Sequence, residues 1–443
     1  MALPPEEHTK RRRALIEQMS ENCIAILPAA PEKNRNRDVH YPFRQDSDFF
    51  YLTGFSEPDA VLVLVPGREH GESILFCREK NPEKELWDGV IVGPEGVVSE
   101  LGLDDAFPIS DIDEILPGLI EGKNKLYYSM GLDTRFDKRV MDWINAIRSK
   151  VRSGAHPPGE FVALEYLLHD MRLYKSPAEL KIMEKACKIA AEAHVRAMQK
   201  CQPGMFEYQL ESEIMHGFLE SGCRSTAYPS IVGAGKNGCI LHYIDNDSKI
   251  ADGELVLIDA GCELDYYAAD ITRTFPANGR FTDEQKAVYE IVLRAQKAAI
   301  EKVVVGNHWN HPHETAVRVI TEGLVELGLL QGSVDDLIEK EAFTKYYMHR
   351  TGHWLGMDVH DVGDYKVGGQ WRELEPNMVL TIEPGIYISP DEQSVEPGWR
   401  GIGIRIEDDV VVTRKGPKVL TGFVPKEVAE IEAIMANTRV NDE

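Results

Sequence analysis

The sequence predicts an α+β protein in two parts, an N-terminal α/β domain over residues 1–173 and a second domain over residues 174–443. Three observations carry this. At 443 residues the chain is long for a single hydrophobic core. Its later part alternates capped helices with short apolar strand runs, an order that suits helices on a mostly antiparallel sheet better than a βαβ series. Two of those strand runs also end alike: Leu255-Val256-Leu257-Ile258-Asp259-Ala260-Gly261 and Val379-Leu380-Thr381-Ile382-Glu383-Pro384-Gly385 are each an apolar strand, an acid, then a glycine. A second acid-bearing run follows each, with Asp270 opening Ile271-Thr272-Arg273-Thr274-Phe275 and Glu407 expected inside the strand that begins Ile402-Gly403-Ile404-Arg405-Ile406. The echo predicts an internal duplication with a site shared between its halves.

Taken in order, residues 7–19 read as a helix and residues 23–27 as a buried strand. Arg11, Arg12 and Arg13 read as an exposed helix start beside Glu6, Glu7 and Glu17. Residues 34–45 are polar, aromatic and turn-rich, which predicts a loop. Strands at 60–65, 73–77 and 125–129 and a helix at 138–148 complete the first domain, and the Gly/Pro-rich run 152–159 reads as a linker. Ser176-Pro177-Ala178-Glu179 is a helix start in which Ser caps, Pro takes the first helical position and Glu179 returns the capping bond. Further helices are expected near 206–219, after the capping box at Thr282, near 313–327 and at 425–435, with strands near 230–232, 240–243 and 255–259.

Composition bounds the function. Hydrophobic content of 43% and charged content of 28% describe a globular chain with ample core. A net charge of −24 disfavours nucleic acid and anionic membrane as partners. No run of apolar residues is long enough for a membrane span, and Arg11–Arg13 precede no apolar segment of the kind a signal peptide needs. Seven cysteines without framework spacing suit a reducing cytoplasm.

An acid on an apolar strand is costly to bury unless something neutralises it, and Asp259, Asp270, Glu383 and Glu407 are four of them. His353, within the run from His349 to His360, supplies a lone imidazole. An oxygen-rich set with one nitrogen favours Mn²⁺ or a similar divalent ion over a structural Zn²⁺. Two such ions bridged by carboxylates would polarise a carbonyl and activate water at neutral pH. Two lookalikes carry less. Gly233-Ala234-Gly235-Lys236-Asn237-Gly238 has dinucleotide-type glycine spacing but no following helix, so it reads as a turn. His308, His311, His313 and Glu314 sit at a loop-to-helix junction and read as a solvated loop.

These stretches, with Ile240-Leu241-His242-Tyr243 and Tyr41-Pro42-Phe43-Arg44-Gln45 in the first domain, resemble the Xaa-Pro aminopeptidase (aminopeptidase P) family of metallopeptidases over nearly the whole chain. The resemblance implies a creatinase-like N-terminal domain and a pita-bread catalytic domain with pseudo-twofold internal symmetry. It implies hydrolysis of the N-terminal Xaa-Pro bond of peptides by a water activated between two Mn²⁺ per subunit, other divalent ions being possible. Asp270 and Glu407 would bridge the ions, Asp259 would bind one, and His353 with Glu383 the other. Glu383 would also shuttle the proton, His242 and His360 would hold the scissile carbonyl, His349 would lie near the proline, and Arg405 would orient the bridging acids. A cytoplasmic tetramer or dimer is implied, with Trp87 reaching a neighbouring site. The sequence departs from the family at Arg350 and Gly352, where Gly and Ser are common. Prolidase is the nearest rival, but Trp354 follows His353 where prolidases tend to have Pro. A non-catalytic relative would be expected to have lost ligands.

Overall fold

A computed structural model describes residues 3–439 and divides the chain into two compact units, residues up to 171 and residues from 172 onward. The division falls within the helix Glu165–Leu173, at whose end the expected boundary lies.

The first unit is built on a six-stranded sheet. Its spatial order is Asp105–Pro108, Ser73–Cys77, Val61–Leu64, Cys23–Pro28, Lys125–Tyr127, Glu160–Val162. Only Val61–Leu64 runs antiparallel to its neighbours. Period-2 alternation places Ile24, Ile26, Val61, Val63, Ile74 and Phe76 in one apolar cluster. Helices Ile112–Ile120 and Thr134–Ser149 cover it with Ile112, Leu116, Ile120, Val140, Ile144 and Ile147, spaced three and four apart. Two sequence expectations need correction here. Residues 152–159 are no interdomain linker, because the strand Glu160–Val162 beyond them completes this same sheet. Arg11 and Arg12 are buried: Arg11 donates to the Tyr51 carbonyl and Arg12 to those of Leu52 and Gly102. They satisfy carbonyls left open at the ends of two helices, Tyr51 and Leu52 in Ser47–Thr53 and Gly102 just after Gly93–Leu101. The segment expected as a loop at 34–45 contains a small hairpin, Asn34–Asn36 with Val39–His40.

In the second unit, the helices Pro177–Lys200 and Asp283–Ile300 both start with the full capping box that their sequences carry. All its strand pairings are antiparallel among the described residues. The strand Leu255–Asp259 lies between Ile231–Ala234 and Thr272–Pro276. The strand Val379–Ile382 repeats the arrangement, with Asp408–Thr413 on one side and an irregular extended segment on the other. That segment is held by Leu355 N–H to Val379, Thr381 N–H to His353 and Glu383 N–H to Thr351. At Gly352 a side chain would put its Cβ 1.9 Å from the Thr381 carbonyl oxygen, so the bare backbone is what lets these segments pair so closely. Residues 240–243, expected as a strand, instead form a turn after the short 3₁₀ helix Gly235–Cys239.

The duplication is real in backbone but offset in its acids. Asp259 stands opposite Thr272, while Ile382 stands opposite Asp408 and Gly385 opposite Arg405, which sets Glu383 against Glu407. The counterpart of Glu407 is therefore Thr272, and that of Asp270 is Arg405. An offset of two keeps all four side chains on equivalent faces, because strand side chains alternate with period 2. The halves join along this line: Glu407 N–H donates to the Thr272 carbonyl, Thr274 hydroxyl to the Arg405 carbonyl, and Asp270 N–H to the Asp409 carboxylate.

The loop carrying His353 and His360 is pinned from behind by Asp361, which is buried between Lys175 Nζ at 2.8 Å and Arg172 at 2.6 Å. Burial alone would raise the Asp361 pKa, but the two cations hold it below the ordinary carboxylate value. Its pairing therefore stabilises the fold above the unfolded carboxylate pKa, and that contribution is lost as pH falls through the lowered folded value. Replacing Lys175 by Met is expected to destabilise the second unit by roughly 2 kcal/mol at neutral pH, since buried Asp361 loses one of its two cations and a charge-assisted hydrogen bond and keeps only Arg172. The deficit relative to wild type should shrink in acid as Asp361 protonates. Thermal unfolding followed at neutral and acidic pH checks this; equal midpoints at neutral pH would contradict it.

Candidate metal centre

The seam between the two halves of the second unit opens into a cavity of about 500 Å³. Asp259, Asp270, His353, Glu383 and Glu407 line it, joined by His242, His349, His360 and Arg405. Each acid arrives from a strand end. Asp259 is the last residue of its strand, Glu383 follows Ile382, and Glu407 sits in the break between Gly403–Arg405 and Asp408–Thr413 rather than inside a strand. Gly261 permits the sharp turn after Asp259, for a Cβ there would lie 1.6 Å from the Ala269 carbonyl oxygen. Trp87 belongs to the first unit, on the helix Pro82–Asp88, where its ring is 85% exposed.

Side chains between the acids hold them together. Tyr228 hydroxyl lies within hydrogen-bond reach of both Asp259, at 2.6 Å, and Asp270. Thr272 donates to Glu407 at 2.6 Å and accepts from Arg405 Nε. Arg405 donates to Asp259 at 2.6 Å and to Tyr387 at 3.0 Å. It thus touches Asp259 directly and Glu407 only through Thr272. Tyr228, Thr272 and Tyr387 were missed by sequence reasoning. Thr272 lies inside a motif already singled out and Tyr387 two residues past another, whereas Tyr228 stands apart before the Ile231–Ala234 strand and carried no signal.

The histidines differ in what their nitrogens do. His353 Nδ1 faces the Trp354 carbonyl at 2.9 Å, which assigns its proton there and turns Nε2 to Asp270, at 3.4 Å, and Glu383, at 3.6 Å. His349 Nδ1 faces the Arg350 carbonyl at 2.7 Å and Nε2 meets Tyr387 hydroxyl at 2.9 Å, so both its nitrogens are engaged. Burial, reinforced by Arg405, pushes His349 down to about 4 and keeps it neutral. His360 packs edge-on to His353, with ring centroids 4.3 Å apart, and burial and the His353 charge lower its pKa.

The acids are crowded beyond what the protein's own cations relieve. Burial raises Asp259, with Asp270 adding to the rise and Arg405 opposing it. Burial carries Glu383 up to about 7 against the pull of His353 and Arg405, and burial with Asp270 and Glu383 lifts Glu407 well above the carboxylate range. For His353, burial pulls down but Asp270 and Glu383 prevail and carry it up to about 9. One ligand atom each from Asp270, His353 and Glu407 lie within 4.8 Å of one another. Carboxylate oxygens with one imidazole nitrogen around such a point fit a hard or borderline divalent cation, whose charge removes the repulsion.

His308, His311 and Glu314 also come together, as the sequence hinted. Their chemistry differs. His308 and His311 Nδ1 each accept a backbone N–H, from Asn310 and His308 respectively, which leaves the protons on Nε2. Glu314 is engaged by the Asn310 amide at 2.6 Å. The rings stack, with centroids 3.5 Å apart, and the set closes the start of the helix His311–Glu326 rather than presenting free lone pairs. His313 likewise pairs inward with Thr351 at 2.8 Å.

Residues 181–414 match Metallopeptidase family M24, and residues 8–127 match the Aminopeptidase P, N-terminal domain. The chain is 46% identical to the Xaa-Pro aminopeptidase of Escherichia coli over 98% of each chain. It superposes on an aminopeptidase of Pseudomonas aeruginosa with a TM-score of 0.98 at 62% identity, covering 99% of each chain. Zn-substituted E. coli aminopeptidase P in complex with product gives a TM-score of 0.96 at 45% identity, covering 99% of this chain and 100% of that one. Architecture, site chemistry and full-length similarity agree: the chain belongs to metallopeptidase family M24, in its aminopeptidase P branch, and is a metallo-exopeptidase.

Proposed function

We propose that the protein removes the N-terminal residue from peptides whose second residue is proline, using two Mn²⁺ ions. The observation that carries this is the convergence of four acids, two of them buried and two nearly so, and one imidazole Nε2 on a cavity walled by three further histidines. Asp270 and Glu407 would bridge the ions, Asp259 would hold one, and His353 with Glu383 the other. When bound, the ions supply Lewis acidity toward the scissile carbonyl and make an attacking water more acidic.

The remaining work falls to side chains. Glu383 accepts the proton of the attacking water and passes it to the proline nitrogen. A carboxyl that burial raises toward neutrality suits a group that must both take and give a proton. His242 and His360 face the carbonyl oxygen as donors, stabilising its developing charge by ~3 kcal/mol as oxyanion donors do. His349 borders the proline with its ring, since both its nitrogens are already engaged. Arg405 holds Asp259 and, through Thr272, Glu407. The seven cysteines are all free thiols, which supports a cytoplasmic setting. No helix among the described residues is long and apolar enough to cross a membrane. Leu86 on the same helix and Val90 just beyond its end are exposed beside Trp87, an apolar patch suited to a second copy of the chain, so Trp87 is assigned to a neighbouring subunit's substrate site in a tetramer or dimer.

The Mn²⁺-loaded protein is expected to cleave Xaa-Pro-Xaa tripeptides in preference to Xaa-Pro dipeptides; the reverse order of kcat/KM would make it a prolidase. Asp270→Ala is expected to abolish both turnover and retention of two ions per chain, measured by elemental analysis, and activity at the wild-type level would refute the bridging role. Because burial raises Glu383 toward neutrality and, against burial, Asp270 and Glu383 raise His353 to about 9, both carry protons near neutral pH before the ions bind, and binding must release them. Apparent Mn²⁺ affinity should therefore rise from pH 6 toward pH 9, read by chelator competition; a flat profile would contradict the ligand assignment.

A further inference from the structure

The cavity has two arginines in its wall, and they are treated in opposite ways. Arg405 is buried and neutralised by Asp259. Arg350, the residue after His349, is exposed and has no carboxylate partner among the described residues. Its guanidinium donates to the side-chain oxygen of Asn310, a neutral amide, and lies 5.3 Å from the centroid of the Trp371 ring. The nearest acid on that side, Glu314, is engaged by the NH₂ of the same Asn310. Lys366 adds a second cation 4.3 Å from the Trp371 ring. The Arg350 backbone is fixed as well, its carbonyl accepting from His349 Nδ1. A guanidinium positioned by an amide and an aromatic face, with no carboxylate bonded to it among the described residues and only the through-space field of Glu314, is preorganised to take a carboxylate through its free N–H groups.

The cavity floor is lined by the acids where the scissile bond must sit, and Arg350 follows the histidine assigned to the proline side. We infer that Arg350 is a specificity residue that binds a carboxylate downstream of the substrate's proline, either the free C-terminus of a tripeptide or an acidic side chain at the third position. The inference rests on the reading of His349 as the proline-side residue.

The test uses metal-loaded wild type, Arg350→Gln and Arg350→Lys on three matched pairs. These are Ala-Pro-Ala as free acid and as amide, Ala-Pro-Glu-Ala-amide against its Gln counterpart, and Glu-Pro-Ala-amide against Gln-Pro-Ala-amide. Wild type is expected to favour the charged member of the first or second pair by roughly fivefold in KM, as for an exposed ion pair, with kcat little changed. The preference should weaken with salt, collapse in Arg350→Gln and survive in part in Arg350→Lys. A preference in the first pair alone assigns the C-terminus, and one in the second alone the side chain. The inference is overturned if Arg350→Gln keeps the wild-type preference, if it lowers kcat equally on both members of each pair, or if discrimination appears only in the third pair, which reports the other end of the peptide. Cleavage without any charge preference removes this inference alone, whereas no cleavage of any pair by wild type removes the peptidase reading with it.

Discussion

Carboxylates buried beside one another dominate this structure, and the way each is compensated separates scaffold from site. Asp408 is fully buried, yet Arg273 and Lys426 lie against it at 2.8 and 2.6 Å and hold its pKa low. Asp361 is treated likewise by Lys175 and Arg172. These acids are closed accounts. Asp259, Glu383 and Glu407 keep raised pKa values despite Arg405 and His353, because burial and mutual repulsion outweigh what those two cations return. Asp409, behind the seam, is likewise raised by burial and by Asp270, so the undercompensated acids gather at the seam, and those that line the cavity are where an external cation can reach.

The same seam explains why a duplicated backbone makes one site. The two three-stranded arrangements join by main-chain and threonine hydrogen bonds running from Thr272 and Thr274 to Arg405 and Glu407. Across this line the two-residue offset matters. Where one half has Asp270 and Thr272 the other has Arg405 and Glu407, so an acid, a hydroxyl, a guanidinium and an acid share one face. Perfect repetition would instead have given two acid–hydroxyl pairs or two guanidinium–acid pairs, and not the hydroxyl of one half set between the guanidinium and acid of the other. Thr272 donating to Glu407 and accepting from Arg405 is the direct result.

Much of this was legible beforehand because it depends on local chemistry. The capping boxes at Ser176 and Thr282 involve residues three apart, so the helix starts were readable from a few letters. The acids on Leu255–Asp259 and after Val379–Ile382 stood out because an apolar run interrupted by a charge contradicts its own pattern. Other readings failed for the same reason in reverse. Arg11 and Arg12 looked solvent-exposed in a row of charges, and only the carbonyls of Tyr51, Leu52 and Gly102, far along the chain, draw them inward. Tyr228 carried no signal, since a tyrosine comes to bridge two carboxylates only when aspartates from different strands meet it.

By itself, then, the amino-acid order determined most of the helices and strands, the four acids and the imidazole that meet in the cavity, and the family they resemble, all properties of short stretches read against hydrophobic period and charge. Tertiary structure alone decided the register between halves, the proton placement on His349 and His353, the pairing of Asp361 and the open state of Arg350. Those depend on which groups meet across long separations in sequence, and hydrogen bonds and charge interactions act over a few ångströms of space regardless of the residues that intervene.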